Sequence, residues 1–133
     1  MKIAICGSMA FANEMADTKK SLEELSHRVE LPKGIEYFLI GTATEETKWE
    51  KIEFDSFKHY YGIICNSDAI LVLNYDKHGI QNYIGGNSLM EMGFAYVNNK
   101  KIFLMNQIPK LSYTEEIEAM KPIIIFRNMT KII

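Results

Sequence analysis

The 133-residue sequence lacks three features that mark particular classes of protein. No apolar run approaches the roughly 20 residues needed to cross a bilayer, so we expect no membrane-spanning helix. The 15 basic and 17 acidic residues leave a net charge of −2, and nothing in this balance suggests a nucleic-acid-binding surface. The two cysteines, Cys6 and Cys65, form neither a disulfide framework nor a cluster of metal ligands. We expect both to be buried thiols in a reducing, cytoplasmic environment.

Binding fingerprints for common cofactors are also missing. The sequence contains neither G-x-G-x-x-G nor GK[ST], the patterns typical of dinucleotide and P-loop sites. His59, His78 and the acidic residues near them lack the ligand spacing of a zinc site. We therefore predict neither a metal ion nor an organic cofactor.

The composition is that of an ordinary soluble globular protein, with 47% apolar and 24% charged residues. A chain of this length buries about two-thirds of its unfolded surface, which is enough for one core without a metal or disulfide. We expect a single domain over residues 1–133.

Short apolar runs alternate with helical patterns along the chain. The periodicity predicts strands at 2–6, 29–32, 69–74, 100–106 and 122–126, and helices at 11–25, 54–64, 88–98 and 112–120. The pattern weakens over 33–51, which we interpret as a mobile excursion that could include a helical turn at 35–39. The strand at 69–74 is continuously apolar, as expected at the centre of a parallel sheet. The alternation predicts an α/β fold, a doubly wound five-stranded parallel sheet of the flavodoxin or Rossmann type with helices on both faces.

Polar residues follow the predicted strands at one edge of this sheet. In open α/β sheets, ligands bind outside the carboxyl ends of the strands, where the strand order reverses. Gly7 and Ser8 follow the first strand, and Asn74 and Asp76 follow the third. The loop that leads to Glu91 starts from the same end, so we expect these segments to form one cleft.

Two short patterns at this cleft each have two interpretations. Gly7-Ser8 could receive a phosphate at the N-terminus of the following helix, or it could form a tight turn. The stretch SLME at 88–91 matches the capping box, in which a serine and a glutamate satisfy each other's backbone N–H groups. Glu91 could instead be a carboxylate held at a site, and the spacing alone does not decide between these roles.

Two other acidic residues have structural interpretations. Glu115 forms a second capping-box pattern with Ser112 at the start of the last helix. Asp68 precedes its strand, so we expect it at the opposite end of the sheet from the cleft, in a cap or loop contact.

The helix at 88–98 is apolar around nearly its whole circumference, which predicts burial on both sides. It also contains Gly93, which costs on the order of 1 kcal/mol relative to alanine. We expect a close backbone approach there, to the sheet or to a partner subunit. The helix at 54–64 adds aromatic residues to the same apolar surface, namely Phe54, Phe57, Tyr60 and Tyr61. These features predict a homodimer or a larger homo-oligomer.

Five segments occur in an order and spacing that match a known family: KIAICGS, HRVELP, SDAILVLN, GGNSLMEMGFA and KKIFLMN. The most specific part is an E-x-G-x-A element at 91–95, which follows a Gly-rich loop and precedes a K-x-I strand. Together they resemble the nucleoside 2-deoxyribosyltransferase superfamily, which includes the 2′-deoxynucleoside 5′-monophosphate N-glycosidases. The resemblance covers most of the chain, apart from 33–51 and the final residues 127–133.

The resemblance implies an enzyme that cleaves or exchanges the N-glycosidic bond of a nucleoside or a nucleoside 5′-monophosphate without a cofactor. Glu91 would be the nucleophile that attacks C1′ of the sugar. This role suits a carboxylate, because such cleavage passes through an oxocarbenium-like state that it can capture. Ser8 would contact the 5′ end of the substrate. The other candidate substrate-binding residues are Gly7, Asn74, Asp76, Gly86, Asn87 and Ser88, with Asn74 or Asp76 placed to read a base edge.

Two positions depart from the pattern of the nucleotide hydrolases. Those enzymes usually carry an arginine two residues after the serine and a serine six residues before the glutamate, where this chain has Ala10 and Gly85. The first departure weakens the expectation of monophosphate binding. It also leaves open a second function on the same fold, a non-catalytic nucleotide-binding or sensor module.

Overall fold

Five short strands pair side by side in the computed structural model, which describes residues 1–39 and 56–133. The strands are β1 Lys2–Gly7, β2 Arg28–Glu30, β3 Ala69–Leu73, β4 Lys101–Leu104 and β5 Ile123–Ile124. The helices are α1 Ala12–Glu24, α2 Ile35–Leu39, α3 Ser56–Cys65, α4 Gly86–Val97 and α5 Thr114–Ala119, and two 3₁₀ helices cover Met9–Phe11 and Met129–Lys131. The predicted α/β class and the five predicted strands are confirmed.

All neighbouring strands are parallel, in the order β2-β1-β3-β4-β5. From β1 the chain moves outward to β2, then returns to the other side of β1 to form β3, and continues to β4 and β5. All five residues of β3 are buried, which confirms its predicted central place. The strand order reverses between β1 and β3, the point at which sheets of this order bind their ligands.

Side chains that alternate along the strands build one core on each face of the sheet. Ile3 and Ile5 of β1 pack in a cluster that includes residues of α1 and α2. Ala4 and Cys6 point the other way, into a cluster that includes residues of α3, α4 and α5. The predicted helices on both faces are confirmed, and the fully buried Cys6 faces the layer that contains α4.

Several predicted boundaries differ from the observed ones. The last strand is shorter than predicted, because Phe126 and Arg127 adopt positive φ angles of 49° and 62° that end the extended backbone. The helical turn expected at 35–39 is present as α2. The rest of the weakly patterned segment, from residue 40 to 51, and the predicted helix start at Phe54 lie outside the described residues.

Asp68 lies at the amino end of β3, opposite to the carboxyl ends of the strands. Its carboxylate accepts a hydrogen bond of 2.8 Å from the backbone N–H of Lys2. The predicted loop contact, away from the cleft, is therefore confirmed.

Neither of the two capping-box patterns forms a capping box. Helix α4 begins at Gly86 with Gly85 as its N-cap, so Ser88 and Glu91 both lie inside the helix. Helix α5 has Tyr113 as its N-cap and no side-chain cap. Both patterns have the spacing of a capping box, but each helix has a different N-cap residue from the serine of its pattern.

The expected close approach of Gly93 to the sheet is not found among the described residues, and its approach to a partner subunit stays a prediction. A side chain built at Gly93 would meet no other part of the described chain within 4 Å. Packing against the described residues of the same subunit therefore does not require glycine there.

Candidate active site

A cleft of about 330 Å³ opens at the carboxyl ends of β1 and β3, where the strand order reverses. Its described lining comes from the loops after β1 and β2, from α3, from the loop between β3 and α4, and from the first turns of α4. Six of the eight residues that the sequence assigned to a site share this lining: Gly7, Ser8, Gly86, Asn87, Ser88 and Glu91. The topology thus brings together segments that are more than 75 residues apart in the chain. Their roles toward a substrate stay predictions.

The end of β1 is shaped by Gly7, which adopts a φ of +153°. A Cβ atom at this position would lie 3.2 Å from the carbonyl oxygen of Leu73 on β3 and 3.3 Å from the side chain of Met15. Glycine is therefore required both by its backbone angle and by the approach of the neighbouring strand. The chain then turns at Ser8, whose hydroxyl accepts a 3.2 Å hydrogen bond from the backbone N–H of Ala10.

The N-terminus of α4 forms the second wall of the cleft. Its N-cap is Gly85, which has no side chain that could cap the helix. The first intrahelical hydrogen bond runs from the Leu89 N–H to the Gly85 carbonyl at 2.9 Å. The first backbone N–H groups of a helix have no intrahelical acceptor. This wall therefore presents backbone N–H groups that the N-cap residue does not cap, at Gly86, Asn87 and Ser88.

Glu91 lies one turn further along α4, between the cleft and β1. On its core side, the thiol of the fully buried Cys6 forms a hydrogen bond with the Glu91 side chain. Burial, the charge of Glu91 and this hydrogen bond together raise the pKa of the Cys6 thiol well above its ordinary value. The thiol is therefore neutral near pH 7 and acts as a donor to the carboxylate.

Tyr60 of α3 also lines the cleft. Its side chain is buried and its hydroxyl donates a hydrogen bond to the carbonyl of Ile5 on β1. Burial, then the neighbouring Cys6 and Glu91, raise the pKa of the Tyr60 phenol well above its ordinary value. The expectation that Tyr60 belongs to an exposed aromatic surface is wrong, because this hydrogen bond to a backbone carbonyl turns its side chain into the core.

Asn74 and Asp76 do not belong to the described lining of the cleft. Asn74 is fully buried, and its side chain bonds to the backbone of Asn106 and Gln107. Asp76 is exposed and accepts a 2.9 Å hydrogen bond from the backbone N–H of Asn82. Both residues follow β3 as predicted, but in this structure they organise the loops around the cleft.

Lys77 lines the cleft and was not assigned to a site from the sequence. Its ammonium nitrogen lies 2.6 Å from the hydroxyl oxygen of Ser8. The glycine at position 79 signals a turn in the sequence, but the sequence does not tell which side chain of that turn reaches the loop after β1.

The described residues contain neither a metal-ligand cluster nor a membrane-spanning helix. Within residues 1–39 and 56–133, no group of three or more histidine, cysteine or acidic side chains is arranged to hold a metal ion. In those ranges, no helix has the length and apolar character required to cross a membrane.

No protein-family profile and no curated protein sequence matches this chain. Its fold is similar to that of a solved structure from Clostridium botulinum, the CMP N-glycosidase BcmB. The two chains are 14% identical and superpose with a TM-score of 0.56, over 98% of this chain and 97% of the other. The likeness shows that the two proteins share a fold over nearly their whole lengths.

Proposed function

We propose that this protein is an enzyme that cleaves or exchanges the N-glycosidic bond of a nucleoside or a nucleoside 5′-monophosphate, with Glu91 as the nucleophile. The observation that carries the proposal is the position of Glu91. It is the one carboxylate among the described residues that line the cleft, and the Cys6 thiol holds it from the core side. The fold shared with a CMP N-glycosidase supports the same class of reaction.

The chemistry follows from a carboxylate placed below a sugar ring. One oxygen of Glu91 attacks C1′, and the base departs with the electrons of the C–N bond and takes up a proton. Water, which gives hydrolysis, or a second base, which gives exchange, then attacks C1′ and loses a proton, while the C1′–O bond to Glu91 breaks and restores its carboxylate. This sequence of steps requires neither a metal nor an organic cofactor.

Release of free base from a panel of substrates tests this proposal. The purified protein is incubated with deoxynucleosides, ribonucleosides and their 5′-monophosphates, with and without a second base. We expect free base from at least one substrate class, and a new nucleoside if the enzyme transfers the sugar. Tight binding with the ligand recovered intact would instead identify a non-catalytic nucleotide-binding module, and the proposal would be wrong.

We also propose that the protein forms a homodimer or a larger homo-oligomer through the layer that contains α3 and α4. This layer leaves large apolar side chains exposed: Phe57, Tyr61, Met90, Tyr96 and Val97. Val97 alone is 72% exposed. We expect light scattering at micromolar concentration to give at least twice the 15.3 kDa mass of one chain. A strictly monomeric mass would contradict this prediction.

A further inference from the structure

Cys6 is the last residue of β1 whose side chain enters the core on the side of α4. This face of the strand carries two small side chains, Ala4 and Cys6, whereas the opposite face carries two isoleucines. Small side chains allow α4 to pack close to the strand. The next residue, Gly7, already lines the cleft. Cys6 therefore reaches Glu91 from the core and stays outside the described lining of the cleft.

The thiol of Cys6 acts as a donor to the Glu91 carboxylate. Burial and the charge of Glu91 raise the pKa of this thiol, so its hydrogen stays in place near pH 7. Tyr60 also lies near Glu91, but its hydroxyl has a single hydrogen and donates it to the carbonyl of Ile5. Of these two buried neighbours, Cys6 is therefore the one that donates to Glu91.

The contact places the two oxygens of Glu91 in different surroundings. A thiol has one hydrogen, so it engages one carboxylate oxygen and leaves the other for the cleft, which Glu91 lines. A glutamate side chain has several rotatable bonds, and anchoring it before the substrate binds removes freedom that would otherwise be lost during the reaction. The donor also favours the ionised form of the carboxylate, which is the form that attacks.

We infer that Cys6 is a positioning residue for the nucleophile, because its thiol holds one oxygen of Glu91 in the core so that the other oxygen faces C1′ of the bound sugar. The inference rests on the proposed function, since it concerns the orientation of the group that attacks. Sulfur forms no bond to the substrate, and the thiol keeps its proton throughout the reaction.

The pH dependence of the reaction reports on this contact. Activity should fall at low pH, because protonated Glu91 has no anionic oxygen to attack C1′. The position of this acid limb in a plot of kcat/KM against pH therefore depends on the groups around the carboxylate. The described titratable groups that contact Glu91 or share its cleft are Cys6 of β1, His59 and Tyr60 of α3, Lys33 after β2 and Lys77 after β3. The test changes only the first of them.

The test compares Cys6→Ala with Cys6→Ser in the base-release assay. Alanine removes the donor, whereas serine keeps a donor of similar size at the same position. For Cys6→Ala we expect kcat to fall about 10-fold, because a hydrogen bond to a charged group is lost. The acid limb should move to higher pH, because the ionised carboxylate has lost a donor. Cys6→Ser should restore the wild-type acid limb and keep kcat within about threefold of wild type.

The matched control is Val72→Ala. Val72 of β3 is the partner of Cys6 in the sheet register, and its side chain is buried in the same cluster. Its truncation leaves a void in the same core but removes no donor, so the unfolding midpoint should fall while the acid limb stays in place. If Cys6→Ala has the wild-type acid limb, or if Cys6→Ser is as impaired as Cys6→Ala, the inference is wrong and the proposed function stands.

Infrared spectroscopy tests the contact without turnover. In a Cys65→Ser background the S–H stretching band comes from Cys6 alone, since the chain has 2 cysteines. A hydrogen bond to a carboxylate lowers the frequency of this band, so we expect the frequency to rise in Glu91→Ala. If no substrate releases base, the proposed function fails, and this band decides by itself whether Cys6 holds the carboxylate. A band that Glu91→Ala leaves unchanged would overturn the inference whatever the activity.

Discussion

Replacement of Glu91 by glutamine is expected to abolish base release and to leave the fold intact. The amide matches the carboxylate in size and still offers a carbonyl oxygen to the Cys6 thiol, but it has no anionic oxygen to attack C1′. We expect kcat to fall by at least about 10³-fold, as for other nucleophile replacements. The measurement is the rate of base release at saturating substrate, together with the thermal unfolding midpoint.

The control for this prediction is Glu115→Gln on α5, where an exposed glutamate lies outside the cleft lining. It removes the same charge and should keep the wild-type rate. Base release by Glu91→Gln at close to the wild-type rate would show that Glu91 is not the nucleophile. A large drop in the unfolding midpoint of Glu91→Gln would make its carboxylate structural, because the amide would then have failed to replace an essential contact.

The structure removes the main competing explanation for Glu91. As part of a capping box, the residue would have stabilised the first turn of its helix, and its loss would have cost on the order of 1 kcal/mol. Because α4 begins at Gly86, Glu91 lies beyond the first turn and cannot bond the N-cap backbone. Loss of activity in Glu91→Gln therefore cannot be attributed to a loosened helix start.

The sequence predicted those parts of the fold that depend on local pattern. A continuously apolar run such as 69–73 indicates a buried strand of a parallel sheet, because both of its faces are covered. The carboxyl-end rule then placed Gly7, Ser8 and the start of α4 in one cleft, since it depends only on which residues follow a strand. Neither prediction depends on knowing which residues a particular side chain contacts.

The sequence could not predict contacts made between distant segments. Helix α4 begins at Gly86, two residues before the predicted start. The residue before its N-cap is anchored, because Ile84 is buried and its carbonyl accepts a hydrogen bond from the Tyr113 hydroxyl. Tyr60 is turned inward by the carbonyl of Ile5. Lys77 meets Ser8 across 69 residues of sequence. Each of these contacts depends on the assembled sheet, so no local pattern could reveal it.

Replacement of Asn74 by alanine is expected to destabilise the protein strongly without a direct effect on catalysis. The buried side-chain amide donates to the carbonyls of Asn106 and Gln107, both at 3.0 Å, and its oxygen accepts from the Asn106 N–H at 2.9 Å. Alanine would leave these backbone groups without their partners, and each such loss costs about 1–3 kcal/mol. We expect the free energy of unfolding, measured by urea denaturation, to fall by about 3 kcal/mol or more.

The control is Asp76→Ala, two residues further along the same loop. Asp76 is exposed, and its carboxylate accepts one hydrogen bond among the described residues, from the N–H of Asn82, so its loss should cost less than about 1 kcal/mol. At a temperature where Asn74→Ala is still folded, its kcat/KM should stay within a few fold of wild type, because its side chain joins the loops after β3 and β4 and does not line the cleft. A variant with unchanged unfolding free energy but strongly reduced kcat/KM would contradict this structural role and return Asn74 to the substrate-binding role that the sequence had suggested.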